Sequence, residues 1–263
     1  MADSPGKLGE ALDGAVMDAV SGKNIAVAFS GGLDSGIVAA MAKKYASRVT
    51  LYTVGSEGSH DIGEAERSAG ELGMPLVRII LTENEVAEGL AEIIGITGTS
   101  DIVTLSFELP LFFVCRNCAE DEIIGGQGAD ELFGGYFKYI GLNTEDLRMK
   151  MAEDLDKLRN LTLPHEKKVA EHFGKTIHYP FLNDAVIRIA EDSDCLSAGT
   201  SDPLSRKRAV REVSEAMGYP GIAAKEKKAA QYGSGTMAAI KKICRSRNIT
   251  YSELIDRLSR GAL

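Results

Sequence analysis

Residues 24–36 read NIAVAFSGGLDSG, an apolar run that opens onto Ser30-Gly31-Gly32-Leu33-Asp34-Ser35. The run IAVAF (25–29) is short and continuously apolar, as a strand buried on both faces must be. Residues 36–46 carry a helical pattern, so the stretch predicts a strand ending at Phe29, a glycine turn, and a helix starting near Ser35. Gly31 and Gly32 let the backbone turn tightly and bring its N–H groups close to a ligand, and Ser30 and Ser35 add hydroxyl donors. The loop is an anion cradle, yet it contains an acid. A carboxylate aimed at phosphates repels them unless a cation lies between, and Mg²⁺ on phosphate oxygens is the usual arrangement. Asp34 therefore reads as a metal ligand beside a phosphate chain; the alternative is a plain glycine turn with Asp34 in solvent. The loop is neither a Walker A sequence, since no Gly-Lys-Ser/Thr follows, nor GxGxxG.

Outward from this point strands and helices alternate. Short runs rich in β-branched residues recur at 49–54 (VTLYTV), 76–80 (LVRII) and 122–125 (EIIG), with helical candidates at 61–73, 83–95 and 106–120. The third helical candidate is announced by a capping box, Thr82-x-x-Glu85. The expectation is an α/β fold: a parallel twisted sheet with helices on both faces, followed by a helical part from Asn143 onward. A single domain over 1–263 is expected, its nucleotide-binding core in 1–140 and a helical part in 141–263 completing the site.

Composition sets the class. The 263 residues are 44% hydrophobic and 26% charged, ordinary for a soluble chain, with no apolar run long enough to cross a bilayer. The polar N-terminus, MADSPGKLGE, lacks a signal-peptide core, so the protein is expected in the cytoplasm. The net charge of −8 is uneven: residues 201–263 hold 13 Lys and Arg against 6 Asp and Glu, the first 200 residues 17 against 32. A basic quarter on an acidic body suits either a local phosphate site or solvated helix faces. Of the four cysteines, only Cys115 and Cys118 (CRNC) have ligand spacing, and no second pair completes a four-thiolate site. They read as core residues of one helix.

A second motif, GGQGADELFGGY (125–136), follows the 122–125 strand and places Asp130 and Glu131 at the start of a short helix. A carboxylate there is favoured by the helix dipole, so capping is one reading of Asp130. Its position at a second strand's carboxyl end gives the other: it can face Asp34 across one crevice and share Mg²⁺ and a pyrophosphate with it.

SGGLDS resembles the signature of the N-type ATP pyrophosphatases, which cleave ATP between the α and β phosphates, and GGQGADELFGGY resembles the synthetase-domain motif of asparagine synthetases, relatives of β-lactam synthetase. On that resemblance Ser30, Gly31, Gly32, Asp34, Ser35 and Gly126 would contact the nucleotide, and the backbone of Val54, in VGSEGSHD (54–61), would meet the adenine. SDIVTLSFELPLF (100–112) is similar to the helix walling the amino-acid pocket, which makes Ser106 and Gln127 substrate-binding candidates. YPFLND (179–184) is similar to the family's PFLD segment, and SRKRAVREV (205–213) with IAAKEKKAAQYGSG (222–235) to the stretch carrying a catalytic lysine, here Lys227, followed by Gly233 and Gly235. A fixed ammonium there suits the chemistry, because negative charge builds on the α-phosphate and then on a tetrahedral oxyanion.

The resemblance implies an ATP- and Mg²⁺-dependent, AMP-forming carbon–nitrogen ligase: a carboxylate becomes an acyl-adenylate and is then amidated, aspartate to asparagine by default. This sequence departs from the family where residue 2 is Ala rather than the cysteine of a glutaminase domain, where Gln127 stands for Glu, and where Ser106 stands for Arg. Ammonia, free or from a separate glutaminase subunit, is therefore the expected nitrogen donor. Another carboxylate amidated or cyclised by the same chemistry, a tRNA-modifying pyrophosphatase, and a non-catalytic nucleotide-binding protein are the alternatives. Membrane and nucleic-acid partners are not expected, and self-association is compatible with the sequence.

Overall fold

The computed structural model describes residues 4–192, 206–226 and 230–262. Its centre is a five-stranded, all-parallel sheet: β1 (Asn24–Ala28), β2 (Arg48–Gly55), β3 (Leu76–Ile80), β4 (Glu122–Ile124) and β5 (Thr176–His178), in the order β3-β2-β1-β4-β5. The alternation of side chains along each strand divides the core in two. Ile25, Val27, Val49, Leu51 and Ile124 point to one face, while Ala26, Tyr52, Val54 and Ile123 point to the other. The register Val27↔Leu51 and Val27↔Ile124 keeps each face continuous across the three central strands.

The first face is covered by α1 (Ser4–Val20), α2 (Leu33–Tyr45) and α3 (His60–Leu72), the second by α4 (Glu83–Thr97) and α5 (Ile102–Asn117). Leu8, Leu12, Val16 and Val20 form the buried stripe of α1 at four-residue spacing. α4 begins with the expected capping box, Thr82 and Glu85 satisfying each other's backbone N–H groups. α5 starts earlier than its expected 106–120, because the Asp101 carboxylate accepts from the Thr104 N–H at 2.8 Å and caps it there. Cys115 is buried near the end of α5 and Cys118 is buried at its C-cap. Burial pushes both thiols up, as it does for structural cysteines.

After β4 come α6 (Ala129–Phe133), α7 (Thr144–Lys157), a π-helical turn (Leu158–Thr162), α8 (Leu163–His172) and α9 (Asp184–Asp192). The later part is less purely helical than expected, since β5 joins the sheet edge beside β4. α10 (Arg208–Ala216) and α11 (Pro220–Ala223) pack on α2, and α10 also meets α1. α12 (Ala230–Gly233), α13 (Thr236–Ser246) and α14 (Tyr251–Ser259) lie on the second face, where α13 and α14 contact α4. Among the described residues no single helix is long and apolar enough to cross a membrane.

Candidate active site

The strand order reverses direction at β1, whose neighbours β2 and β4 lead away on either side. Ligands of such sheets bind beyond the carboxyl ends of the strands at this point. Two loops meet there. The first leaves β1 through Ser30, and Gly31 turns it at φ +75°, a conformation that L side chains rarely adopt. Gly31 also lies so close to α3 that a Cβ would come within 2.3 Å of the Ala65 nitrogen, and its carbonyl accepts from Ser68 Oγ at 2.7 Å. Gly32 is the N-cap of α2 and supplies no side-chain cap, so the first N–H groups of that helix face outward for an anion. Ser30 and Ser35 bring their hydroxyls within 3.3 Å of each other above this turn. Asp34 belongs to the first turn of α2, because the helix begins at Leu33, earlier than the start near Ser35 expected from sequence.

The second loop leaves β4 through Gly125, Gly126, Gln127 and Gly128. Gly126 abuts Asp34 directly: a Cβ on it would lie 2.8 Å from the Asp34 Cβ. Gly128, at φ +95°, caps α6, a five-residue helix whose first turn carries Asp130 and Glu131. Both carboxylates are buried, and the Tyr136 hydroxyl donates to Glu131 Oε1 at 2.6 Å. Burial, then the charge of Asp130, raises the Glu131 pKa.

Asp34 and Asp130 thus converge, but through a residue that the sequence reading did not single out. Lys207 Nζ lies 2.6 Å from Asp34 Oδ2 and 2.6 Å from Asp130 Oδ1. Its left-handed φ of 55° at the N-cap of α10 aims the side chain back into the sheet end. Asp34 Oδ1 is buried with no hydrogen-bond partner, a free acceptor suited to a cation. Two converging carboxylates with such an oxygen fit a hard divalent ion such as Mg²⁺.

Beside this cluster a cavity of ≈ 330 Å³ is lined by Ser30 to Asp34, His60, Asp61, Glu64 and Lys207, and by residues 224–226. Lys225 pairs with Glu64, whose carboxyl burial pushes up but Lys225 and Arg67 together hold below its ordinary value. The buried Arg211 donates to the carbonyls of Arg206, Ala223 and Lys225, tying the segment before α10 to the segment after α11. Gly233 packs on Asp61 and Gly235 on Ser56, so the GSG turn closes over the end of β2.

A second polar group lies behind Gln127. Its Nε2 donates to Glu166 Oε1 at 2.6 Å, and the Tyr179 hydroxyl donates to Glu166 Oε2 at 2.6 Å. Burial pushes the Glu166 carboxyl up to about 7, even against the two donors. His165 Nδ1 lies 2.8 Å from Glu108 Oε1, and burial raises Glu108 to about 7 as well, with the charge of Asp101 adding to it.

Other expected site residues fall elsewhere. Ser106 is fully enclosed: its hydroxyl donates to the Val103 carbonyl, and its own carbonyl accepts from Thr236, so it does not line the cavity. Val54, of which a backbone contact was expected, does lie at the carboxyl end of β2, paired with Ile79 and with its side chain in the second core. Lys227 lies outside the described residues. Glu166 and Lys207 gave no signal of their own, being a helical HEKK and one of several lysines in the basic quarter.

The profile of the asparagine synthase family matches residues 7–181. A Methanocaldococcus jannaschii homologue named as a glutamine-hydrolysing asparagine synthetase is 29% identical over 96% of this chain and 54% of its own length. Asparagine synthetase B of Escherichia coli is 26% identical over 80% of this chain and 41% of its own length. The chain therefore spans about half, or less, of these relatives. Among solved structures, the NMN synthetase of Francisella tularensis is similar at 17% identity, covering 97% of this chain and 85% of its own, with a TM-score of 0.47. By the extent of the matched profile, which takes in both loops around Asp34 and Asp130, the chain belongs to the asparagine synthase family.

Proposed function

We propose that the protein is an ATP-dependent, AMP-forming ligase that activates a carboxylate as its acyl-adenylate and amidates it. Aspartate is the carboxylate of first choice, giving asparagine with ammonia. The observation that carries this reading is the convergence of Asp34 and Asp130 at the carboxyl ends of β1 and β4, beside an uncapped helix N-terminus. Pure nucleotide binding has no need of two converging carboxylates at that point; cleavage of a phosphoanhydride with a metal-bound leaving group does.

In this reading the N–H groups at the start of α2 and the hydroxyls of Ser30 and Ser35 bind the phosphate chain. Asp34 and Asp130 would hold Mg²⁺, which when bound neutralises charge on the departing pyrophosphate. A substrate carboxylate oxygen bonds to the α-phosphorus as the bond to the β-phosphate oxygen breaks. Ammonia then adds to the acyl carbon, the bond to AMP breaks, and nitrogen gives up a proton. Lys227 is the proposed ammonium that stabilises the charge of both steps. Gln127, anchored by Glu166, is the proposed contact to the substrate's polar groups. Ammonia would arrive free or from a separate glutaminase subunit, and a cytoplasmic setting suits the ATP requirement.

The deciding measurement is exchange of labelled pyrophosphate into ATP with Mg²⁺, run across the amino-acid carboxylates. Exchange that requires aspartate, and that falls by orders of magnitude in Asp34→Asn, is expected. Exchange with no carboxylate at all, or full exchange in Asp34→Asn, would overturn the assignment.

A further inference from the structure

Lys207 fills the space between the two carboxylates proposed to hold the metal. Its side chain is 4% exposed, with Nζ 2.6 Å from one oxygen of each carboxylate. This placement is enforced by its surroundings. The backbone of Lys207 is left-handed, its carbonyl accepts from Arg211 N at 3.0 Å, and the turn after α6 presses on it. A Cβ at Gly135 would lie 2.1 Å from Lys207 Cε and 1.9 Å from Asp130 Oδ1, so only glycine leaves room for the pair.

A divalent cation held by both carboxylates, through the free Asp34 Oδ1 or otherwise, would have to sit beside Asp34 and Asp130 in the space this ammonium fills. The ammonium occupies that space, and like charges so close together repel strongly within a largely buried cluster. One of the two must leave. The cavity next to Lys207 includes the phosphate-cradle residues Ser30 to Asp34, so a bound phosphate chain offers the ammonium a new partner within its own reach.

We propose that Lys207 is an exchangeable counter-cation: it holds Asp34 and Asp130 together and excludes a divalent metal until a phosphate chain draws its ammonium away. This inference rests on the shared-metal reading above and adds to it an order of assembly. Metal and phosphate chain enter together, and neither carboxylate faces the other unneutralised at any stage. The coupling is reciprocal, because whatever lets phosphate take Lys207 also lets metal take the carboxylates.

Mn²⁺ alone, followed by its spin-resonance signal with the full chain, is the probe. Wild type should bind free Mn²⁺ weakly, and pyrophosphate should tighten it, after correction for the complex the two form in solution. Lys207→Met should bind Mn²⁺ alone more tightly than wild type, within the roughly 5- to 150-fold typical of coupled sites. Adding Asp34→Asn to that variant should abolish the gain. Lys207→Gln provides the same test if the methionine variant does not fold, and Lys207→Arg, which keeps the charge, should remain a weak binder. If both neutral variants bind Mn²⁺ alone no more tightly than wild type, while pyrophosphate still recruits it through Asp34, the counter-cation role is wrong and the metal site stands. If Mn²⁺ ignores Asp34 and Asp130 under every condition, the shared-metal reading falls, and this inference with it.

Discussion

Glu166 is 2% exposed and carries the one carboxylate that Gln127 and Tyr179 both address. Burial moves its pKa from 4.5 to about 7, so its charge is set by the fold. Between those two pH values the folded chain keeps a proton that the unfolded chain has lost. Stability must therefore fall as pH rises from about 4.5 to about 7, by at most roughly 1 kcal/mol per pH unit from this group. Glu166→Gln removes the titration; its amide oxygen accepts from the Gln127 amide while its NH₂ faces Tyr179, whose hydroxyl can accept in turn. Denaturant midpoints measured from pH 4 to 8 should show a shallower decline for the variant than for wild type. Parallel profiles would mean that Glu166 is not the buried acid it looks to be. The same residue shows where sequence reading stops. Asp34 and Asp130 were legible because glycines and a strand end frame each of them. Glu166 sits in an ordinary helical context, and only the packing of α8 beside the Gln127 loop gives it a role. Lys207 lies 173 residues from its partner Asp34, and no local pattern encodes that meeting.

The elements that sequence reading recovered are those with a clear period and clear ends. β3 spans Leu76–Ile80, the predicted range, and α4 begins at Glu83 behind its capping box. α1 went unpredicted although Leu8, Leu12, Val16 and Val20 repeat at helical spacing, because Gly6, Gly9 and Gly14 interrupt it with poor helix formers. β5 is three residues long and half-polar, too short for any period to show. The turn after α6 makes the sharpest test at this scale. Gly134 adopts φ +69° and the Gly135 N–H returns to the Asp130 carbonyl at 2.9 Å, folding the chain back over its own acidic residue. Gly135→Ala puts a methyl group where the Asp130 carboxylate and the Lys207 side chain meet. The chain should still fold, while pyrophosphate exchange falls by at least ~100-fold, the scale of losing one charge-stabilising donor. Near-normal exchange in a folded Gly135→Ala protein would show that this contact does not set the site.

Across the whole molecule, the sheet end is built by the first half of the chain and closed by segments that arrive much later. α10 and α11 lie across α2, bringing Lys207, Arg211 and Lys225 over the loop that follows β1. A close point of that closure is Gly36, one residue beyond Ser35, where a Cβ would meet Ile222 Cγ2 at 2.6 Å and Cδ1 at 3.3 Å. Two effects oppose each other in Gly36→Ala. Helix propensity favours alanine by about 1 kcal/mol. Overpacking against a stiff β-branched side chain costs about 1–3 kcal/mol. The clash should win, and because α11 is the part that must yield, ATP binding should weaken along with stability. Ile222→Ala alone should cost about 2–5 kcal/mol by leaving a hole under α11. Together the two changes should cost less than their sum, since the new methyl group enters the space the isoleucine vacated, with a coupling of about 0.5–3 kcal/mol. Urea titrations of the four proteins, with ATP affinity measured alongside, decide it. Strict additivity would mean that α11 adjusts freely over α2, and that the late segments reach the site without being registered by the helix that carries Asp34.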